Sequence, residues 1–332
     1  MNKAGTLIVG QGIAGTVMAF MLHKNNLAFT VIDPGIANTS SRIAAGMFTP
    51  VSGRRKTIQP VTLQQIPFAI KIYEQIQLLL GTVILHLQHV YQVCDSAEER
   101  RELVNKLVNA EFKKYIVTDP PLQPNIKQDT GAYEVILSGW LDCELMLDGF
   151  AHWLRQKKAL LNEIFIYNDL QFGEAVMEYH GMRFNNIVFC EGYSAIDNPF
   201  FKNENIIPCK GDILTIRSDH LKTDRIIKKN GTYIISKDNN SFTAGSTYQW
   251  NNSTTEPDEN SRKQIELKLE ELLTGPYLTT SHKSAIRPTT RSRDVIAKQH
   301  PEHKGMFMLN GLGTKGVLQG PWWASQLVEI LR

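Results

Sequence analysis

The sequence predicts an α/β protein: a discontinuous nucleotide-binding domain built on a parallel sheet, with an antiparallel-sheet domain inserted into it. Three observations predict it. Short apolar runs stand near the beginning, middle and end of the chain, at Thr6-Leu7-Ile8-Val9, Ile187-Val188-Phe189 and Met306-Phe307-Met308-Leu309, as strands buried on both faces require. A glycine turn, Gly10-Gln11-Gly12-Ile13-Ala14-Gly15, joins the first run to a helical stretch. Residues 206–246 alternate apolar and polar positions between turn residues, the pattern of an antiparallel sheet.

In chain order, the first strand and glycine turn lead into a helix from Ile13 to about Asn25. A second buried strand, Phe29-Thr30-Val31-Ile32, ends at Asp33 and is broken by Pro34-Gly35. Helical spacing recurs over 63–80, through Leu63, Ile66, Ile70, Tyr73 and Ile76. Residues 97–109 read as an exposed amphipathic helix, and the three prolines in 120–124 make that stretch a loop. A further helix covers 141–158, with Asp142 as its N-cap. Within 206–246, Asn230-Gly231 marks a hairpin turn. Polar residues 250–260 read as a surface loop, followed by the charged helix RKQIELKLEELL, the last strand, a glycine-rich turn and a closing helix with Trp322, Trp323, Leu327, Val328 and Ile330. This order divides the chain into a nucleotide domain at 1–82, 135–207 and 285–332, and an inserted substrate domain at 83–134 and 208–284.

Composition narrows the function. There are 36 basic against 33 acidic side chains, a net charge of +3, so no general attraction to nucleic acid or membrane is expected. Cys94, Cys143, Cys190 and Cys209 form no C-x-x-C pair, which argues against a zinc site or disulfide framework and suits a reducing compartment. His86 and His89, like His300 and His303, are spaced by three without a third ligand, so no metal site is expected. Thr6 to Leu22 is uncharged and apolar enough to be taken for a signal peptide or membrane span. Its three glycines and its lack of a basic n-region favour a buried strand, turn and helix, and hence a soluble, cytoplasmic protein.

The glycine motif carries the first piece of chemistry. Gly10 permits the tight turn, Gly12 lets backbone approach a pyrophosphate, and Gly15 allows close packing of helix on strand. The helix start supplies N–H groups and partial positive charge to the diphosphate. Asp33, at the end of the second strand, is placed to accept hydrogen bonds from ribose hydroxyls. This motif serves NAD and FAD alike. Two further segments favour a flavin. Thr39-Ser40-Ser41-Arg42-Ile43-Ala44-Ala45-Gly46-Met47 is a run of small residues that lets backbone come close to a flat ligand. Asn310-Gly311-Leu312-Gly313-Thr314-Lys315-Gly316 lies between the last strand and last helix, where amides and helix dipole favour an anionic group.

With these segments the chain resembles the D-amino acid oxidase and glycine oxidase type of FAD-dependent oxidoreductase, a group similar also to the flavin domain of a bifunctional tRNA-wobble-uridine modification enzyme. The similar segments run in order: GQGIAG, SSRIAAGM, GWLDCELMLDGF, VFCEGYSA, IPCKGDIL, AGSTYQW, Ala285-Ile286-Arg287-Pro288-Thr289 and GLGTKGVLQGP. The resemblance implies a Rossmann-like FAD-binding domain of glutathione-reductase type. It implies FAD contacts from Gly10, Gly12, Ile13, Ala14, Gly15 and Asp33, and from Arg42, Ala44, Ala45, Gly46 and Met47. It implies the same for the Cys190-Glu191-Gly192 turn and for Gly311, Leu312, Gly313, Thr314, Lys315, Gly316 and Val317. Relatives with covalent flavin use a cysteine after the Arg-Pro motif; residues 287–320 have none, so non-covalent FAD is expected.

By the same resemblance Arg287 anchors a substrate carboxylate, a task suited to its planar fork of donors. Tyr248 and Tyr233 are weaker candidates for the pocket wall. The implied reaction oxidises the C–N bond of a small amine or amino acid, with hydride passing to flavin N5 and oxygen as acceptor. No protein general base is then required. Two alternatives stay open: oxidative removal of a carboxymethyl group from a modified tRNA uridine, towards which Arg54-Arg55-Lys56 would contribute basic charge, and an amine dehydrogenase that passes electrons to a quinone or carrier. Exact substrate and oligomeric state are not legible.

Overall fold

A computed structural model describes residues 5–53, 55–173 and 176–331. The strand Gly5–Val9 lies between Phe29–Ile32 and Met182–Phe189, parallel to both. Leu160–Leu161 adds to one side, and Met306–Asn310 pairs in parallel with the end of Met182–Phe189. Among the described residues this sheet has eight strands. Leu7, Ile8, Ile187 and Val188 are wholly buried, because helices cover one face and the aromatic rings of Phe165, Phe200 and Phe201 pack on the other.

The helix Ile13–Lys24 is buried from Ile13 through Leu22, so it is apolar on every side and shows no amphipathic stripe. That accounts for the span-like look of residues 6–22. Among the described residues no helix is long and apolar enough to cross a membrane. The closing helix Gly316–Leu331 packs on it, and the buried Tyr73 of the helix Pro60–Leu80 donates to the Val317 carbonyl at 2.7 Å. Helix Cys143–Gln156 begins at 143, later than the spacing indicates, because Leu141 belongs to the strand Gly139–Leu141. Asp142 caps it as expected, accepting from the Leu145 N–H at 3.1 Å. The helix Ala97–Lys106 ends before 109, where a second short helix, Ala110–Lys113, takes over.

The second large sheet has nine strands among the described residues. Ile206–Arg217 pairs antiparallel with Ser241–Gly245, and the hairpin of Ile226–Lys229 with Thr232–Ser236 turns at Asn230 and Gly231, both with positive φ. Ile226–Lys229 then pairs in parallel with Val90–Val93, bringing residues from the earlier insertion into the same sheet. Leu214, Ile216, Ile234 and Phe242 face the helix Glu259–Glu270. The opposite face carries Val90, Tyr133, Val135, Ile226, Tyr233 and Ile235, packed against Ala45, Met47, Val51 and Trp140.

One long element escapes sequence reading. Leu278–Thr290 is a strand of thirteen residues, paired along its length with Ile206–Arg217. It is largely polar, contains Pro288 and has no clean alternation. Its pairing partner supplies the order, with Pro208 standing opposite Pro288. Both strands straddle the expected domain boundaries at 207/208 and 284/285, so this ribbon is continuous from the inserted sheet to the edge of the glycine-rich turns.

Candidate active site

The first glycine turn has the geometry its residues imply. Gly10 has φ +98, and a Cβ on Gly15 would fall 1.8 Å from the Gly10 carbonyl oxygen, so the helix seats on the turn only without a side chain there. Gly12 is the N-cap and offers no side chain; a Cβ on it would stand 2.9 Å from Ser41 Oγ. The Ile13 N–H donates to that hydroxyl at 3.1 Å, and the remaining first-turn N–H groups have no acceptor within the helix. Asp33 accepts from the Gln11 N–H at 2.6 Å and the Gly35 N–H at 2.7 Å, which fixes its carboxylate beside the turn at the strand end.

Residues 39–47 cross in front of this turn. Thr39 caps the short helix Ser40–Ile43, and Arg42 reaches Asp148 at 2.6 Å. Ala44 and Ala45 are partly buried. Gly46, at φ +76, lies against Leu141: a Cβ would come within 1.9 Å of that carbonyl oxygen. Met47 begins the strand Met47–Phe48, which pairs with Gly139–Leu141.

The Cys190-Glu191-Gly192 turn abuts Gly10, whose Cβ position is 2.6 Å from the Cys190 carbonyl oxygen. Asn310 Nδ2 donates to the Gly192 carbonyl at 2.8 Å, tying this turn to the C-terminal one. Glu191 accepts from the Tyr167 hydroxyl and from Asn198 Nδ2. Burial pushes its carboxyl above the usual range, opposed by those two hydrogen bonds. Gly311 and Gly313 both have positive φ, and the Gly313 N–H donates to the Pro288 carbonyl at 2.9 Å. Leu312 and Val317 are buried, Gly316 opens the closing helix, and Thr314 and Lys315 face solvent.

That bond brings Arg287 to the edge of the same region. Its Nη1 donates to the Thr247 carbonyl at 3.1 Å and its Nη2 to Ser246 Oγ at 3.0 Å. The guanidinium carbon lies 4.8 Å from the centre of the Tyr248 ring. It occupies the space a Cβ on Gly211 would take, about 2.1 Å away, so Gly211 gives the arginine its seat. Tyr233 is buried beside it, its hydroxyl 3.3 Å from the Cβ position of Gly245, and burial pushes its pKa up. Tyr248 is 53% exposed, whereas Tyr233 is 9% exposed.

Sequence reading missed Ser41, Asn310, Gly211 and the Ser246-Thr247 pair as positioning groups; each acts through a partner distant in the chain. It also missed Trp140, buried beside Met47. Of the basic cluster, Arg54 lies outside the described residues. The Arg55 carbonyl accepts from Lys106 Nζ at 2.6 Å, while Lys56 is paired with Glu99 and sits 3.8 Å from Asp95. His89 pairs with Glu134, and His300 bonds the Phe200 carbonyl; among the described residues no group of three or more His, Cys, Asp or Glu is placed to hold a metal ion.

The residues fit a dinucleotide. The two parallel strands Gly5–Val9 and Met306–Asn310 end at the same sheet edge, so two helix N-termini and their glycine turns face one region.

Comparison with known proteins agrees. The fold matches glycine oxidase from Bacillus cereus ATCC 14579 with a TM-score of 0.82 at 16% identity, over 99% of this chain and 95% of that one. It matches iminodiacetate oxidase from Chelativorans sp. BNC1 with a TM-score of 0.81 at 15% identity, over 98% and 95%. It also matches L-alpha-glycerophosphate oxidase from Mycoplasma pneumoniae, a structure with FAD bound, with a TM-score of 0.77 at 14% identity, over 100% and 95%. At these identities the likeness is one of fold. The model of the DAO family, FAD dependent oxidoreductase, matches residues 6–330, and the chain therefore belongs to that family of flavoenzymes.

Proposed function

We propose that this protein holds FAD non-covalently and oxidises the C–N bond of a small amine or amino acid, with oxygen as electron acceptor. One observation carries the substrate side of the reading. Arg287 is held by Thr247 and Ser246 on a strand whose next residue is bonded to the C-terminal glycine turn, so a guanidinium is fixed beside the region where two helix N-termini converge. A fixed, planar fork binds a carboxylate with little further ordering.

In this reading segments 1–82, 135–207 and 285–332 hold the cofactor, and 83–134 and 208–284 shape the substrate side. Gly10, Gly12, Ile13, Ala14 and Gly15 face the diphosphate, and Asp33 receives the ribose. Ala44, Ala45, Gly46 and Met47 lie along the flat ring, with Glu191 and Gly192 beside it. The turn from Gly311 through Val317 lies at its far side, where the first-turn N–H groups and dipole of the closing helix would meet it. Bound FAD supplies the two-electron oxidation. The chain contributes carboxylate binding by Arg287, walls from Tyr233 and Tyr248, and exclusion of water by the apolar cluster around Met47 and Trp140. Four buried free thiols suit the reducing interior of a cell.

Enzymes named for glycine and iminodiacetate share the fold, and both substrates are amines bearing carboxylates. The neighbour named for glycerophosphate shows that fold alone does not choose the bond. The tRNA alternative has less support, because Lys56 is already ion-paired within the chain. Anaerobic mixing of the yellow holoprotein with glycine, sarcosine and D-amino acids tests the reading. We expect bleaching near about 450 nm by at least one of them, and recovery with peroxide on admitting air. Bleaching only by a 2-hydroxy acid or polyol would sink it.

A further inference from the structure

The two acceptors that hold Arg287 are neutral, the Thr247 carbonyl and the Ser246 hydroxyl. Neither residue belongs to a strand. Ser241–Gly245 ends just before them and Gln249–Trp250 begins just after, so residues 246–248 stand outside the regular ladder. Ser246 and Thr247 are nevertheless buried, at 6% and 7% exposure. Their order has another source. Thr247 is clamped at three points, all by Asp212. Its N–H donates to the Asp212 carbonyl at 3.3 Å, its hydroxyl accepts from the Asp212 N–H at 2.9 Å, and that hydroxyl donates to Asp212 Oδ2 at 3.2 Å. With its N–H and side chain both tied, the Thr247 carbonyl keeps little freedom, and it is this carbonyl that Arg287 Nη1 meets.

Strand alternation puts the Asp212 side chain on the face of the sheet away from Arg287. The guanidinium fills the side-chain space of Gly211, so the next residue points the other way, to the face that carries Leu214. His282 stands opposite Leu214 in the paired strand and shares that face. Asp212 is 0% exposed there. Its Oδ1 accepts from the Asp258 N–H at 3.0 Å and lies 2.9 Å from His282 Nε2. Among the described residues no lysine or arginine pairs with it. A carboxylate in an apolar layer is costly to bury unless its hydrogen bonds are kept. Two of the three that reach this one fix Oδ1, and the third ties Oδ2 to the residue that holds Arg287.

We propose that Asp212 is a positioning residue for substrate recognition: held by His282 and Asp258 on one face of the sheet, it fixes Thr247, which fixes Arg287 on the other. This deepens the reading of Arg287 as a carboxylate anchor and rests on it. Asp212 itself touches no substrate, so its replacement should weaken recognition of a negative charge and leave recognition of an uncharged ligand of the same shape alone. Asp212→Asn keeps the shape and turns one oxygen into a donor. N–H groups crowd the Oδ1 side, so the amide nitrogen turns to Thr247 and the hydroxyl proton loses its acceptor. Thr247→Val removes that hydroxyl from the other end, and Thr247→Ser retains it.

Calorimetric titration of the holoproteins with butyrate and butyramide tests this. We expect butyrate affinity to fall roughly tenfold in Asp212→Asn and in Thr247→Val, the worth of one hydrogen bond to a charged group, with butyramide affinity unchanged. Thr247→Ser should bind butyrate as the unaltered protein does. Because both changes cut the same link, the double variant should be no weaker than Thr247→Val alone. Equal losses for butyrate and butyramide, or losses that multiply in the double variant, would mark general damage and overturn the positioning role. Should Asp212→Asn not fold, the contrast between Thr247→Val and Thr247→Ser decides, and equal butyrate affinities in those two overturn it. Butyrate binding lost in Arg287→Ala but untouched in Asp212→Asn removes Asp212 and upholds the anchor. Butyrate binding indifferent to Arg287→Ala overturns the anchor itself, and the role of Asp212 with it.

Discussion

Arg287 shows how a single side chain is made ready for the role proposed for it. Gly211 clears its seat, Thr247 and Ser246 fix its two nitrogens, and Tyr248 covers one face. Replacing it by alanine should raise the Michaelis constant for an amino-acid substrate by roughly a hundredfold, about 3 kcal/mol, with a smaller effect on turnover. Arg287→Lys should recover only part of this, because an ammonium keeps the charge and loses the fork. Steady-state kinetics of both variants decide it; equal Michaelis constants in all three proteins would remove the anchor. Glu191 gives a second prediction at this scale. Its folded pKa is raised, by burial first and by Asp197 in addition, so the folded state holds the proton more tightly than the unfolded chain. Its contribution to stability is full below the ordinary carboxyl range, about pH 4, and is lost as pH rises through the raised value. Glu191→Gln should therefore gain stability relative to the unaltered protein as pH climbs towards neutrality. Urea midpoints of the two proteins that run parallel across that range would refute it.

Elements divide by how local their causes are. The strand–turn–helix at 5–24 is legible because each requirement is written in neighbouring residues: an apolar run, glycines where no Cβ fits, an acid at the next strand end. Gly15→Ala should cost about 3 kcal/mol or more and abolish retention of yellow cofactor, since the new Cβ meets the Gly10 carbonyl backbone. Thermal melting and the flavin-to-protein absorbance ratio measure both; a variant that keeps its cofactor and melting point would contradict that packing. Asp142 is likewise readable, and Asp142→Ala should cost only about 1 kcal/mol as a lost cap. Leu278–Thr290 lies at the other extreme. Its order comes from a partner strand some seventy residues earlier, and its own residues are mostly polar. The same holds for the site: the glycine turns announce themselves, while Ser41, Gly211 and Trp140 acquire meaning only through contacts made at long range.

At the scale of the whole molecule, the two large sheets meet over one region, so cofactor binding should hold them together. The four thiols report on this. Cys94, Cys143, Cys190 and Cys209 are all free and buried, with exposures of 0%, 1%, 4% and 1%. Burial pushes each thiol up, Cys143 to about 12, so neither access nor thiolate is available in the folded state. Cys190 lies in the parallel-sheet half beside the first glycine turn, and Cys209 in the inserted sheet opposite Arg287. A ligand that binds only the folded state adds protection in proportion to its saturation, about 2.7 kcal/mol at a hundred times its dissociation constant. If FAD bridges the halves, maleimide labelling of Cys190 and Cys209 should slow together by roughly a hundredfold on adding FAD to apoprotein. Binding confined to the parallel-sheet half would protect Cys190 and leave Cys209 at its apoprotein rate. Site-resolved mass spectrometry distinguishes the two patterns without reference to turnover, so the result bears on where the cofactor acts even before a substrate is found.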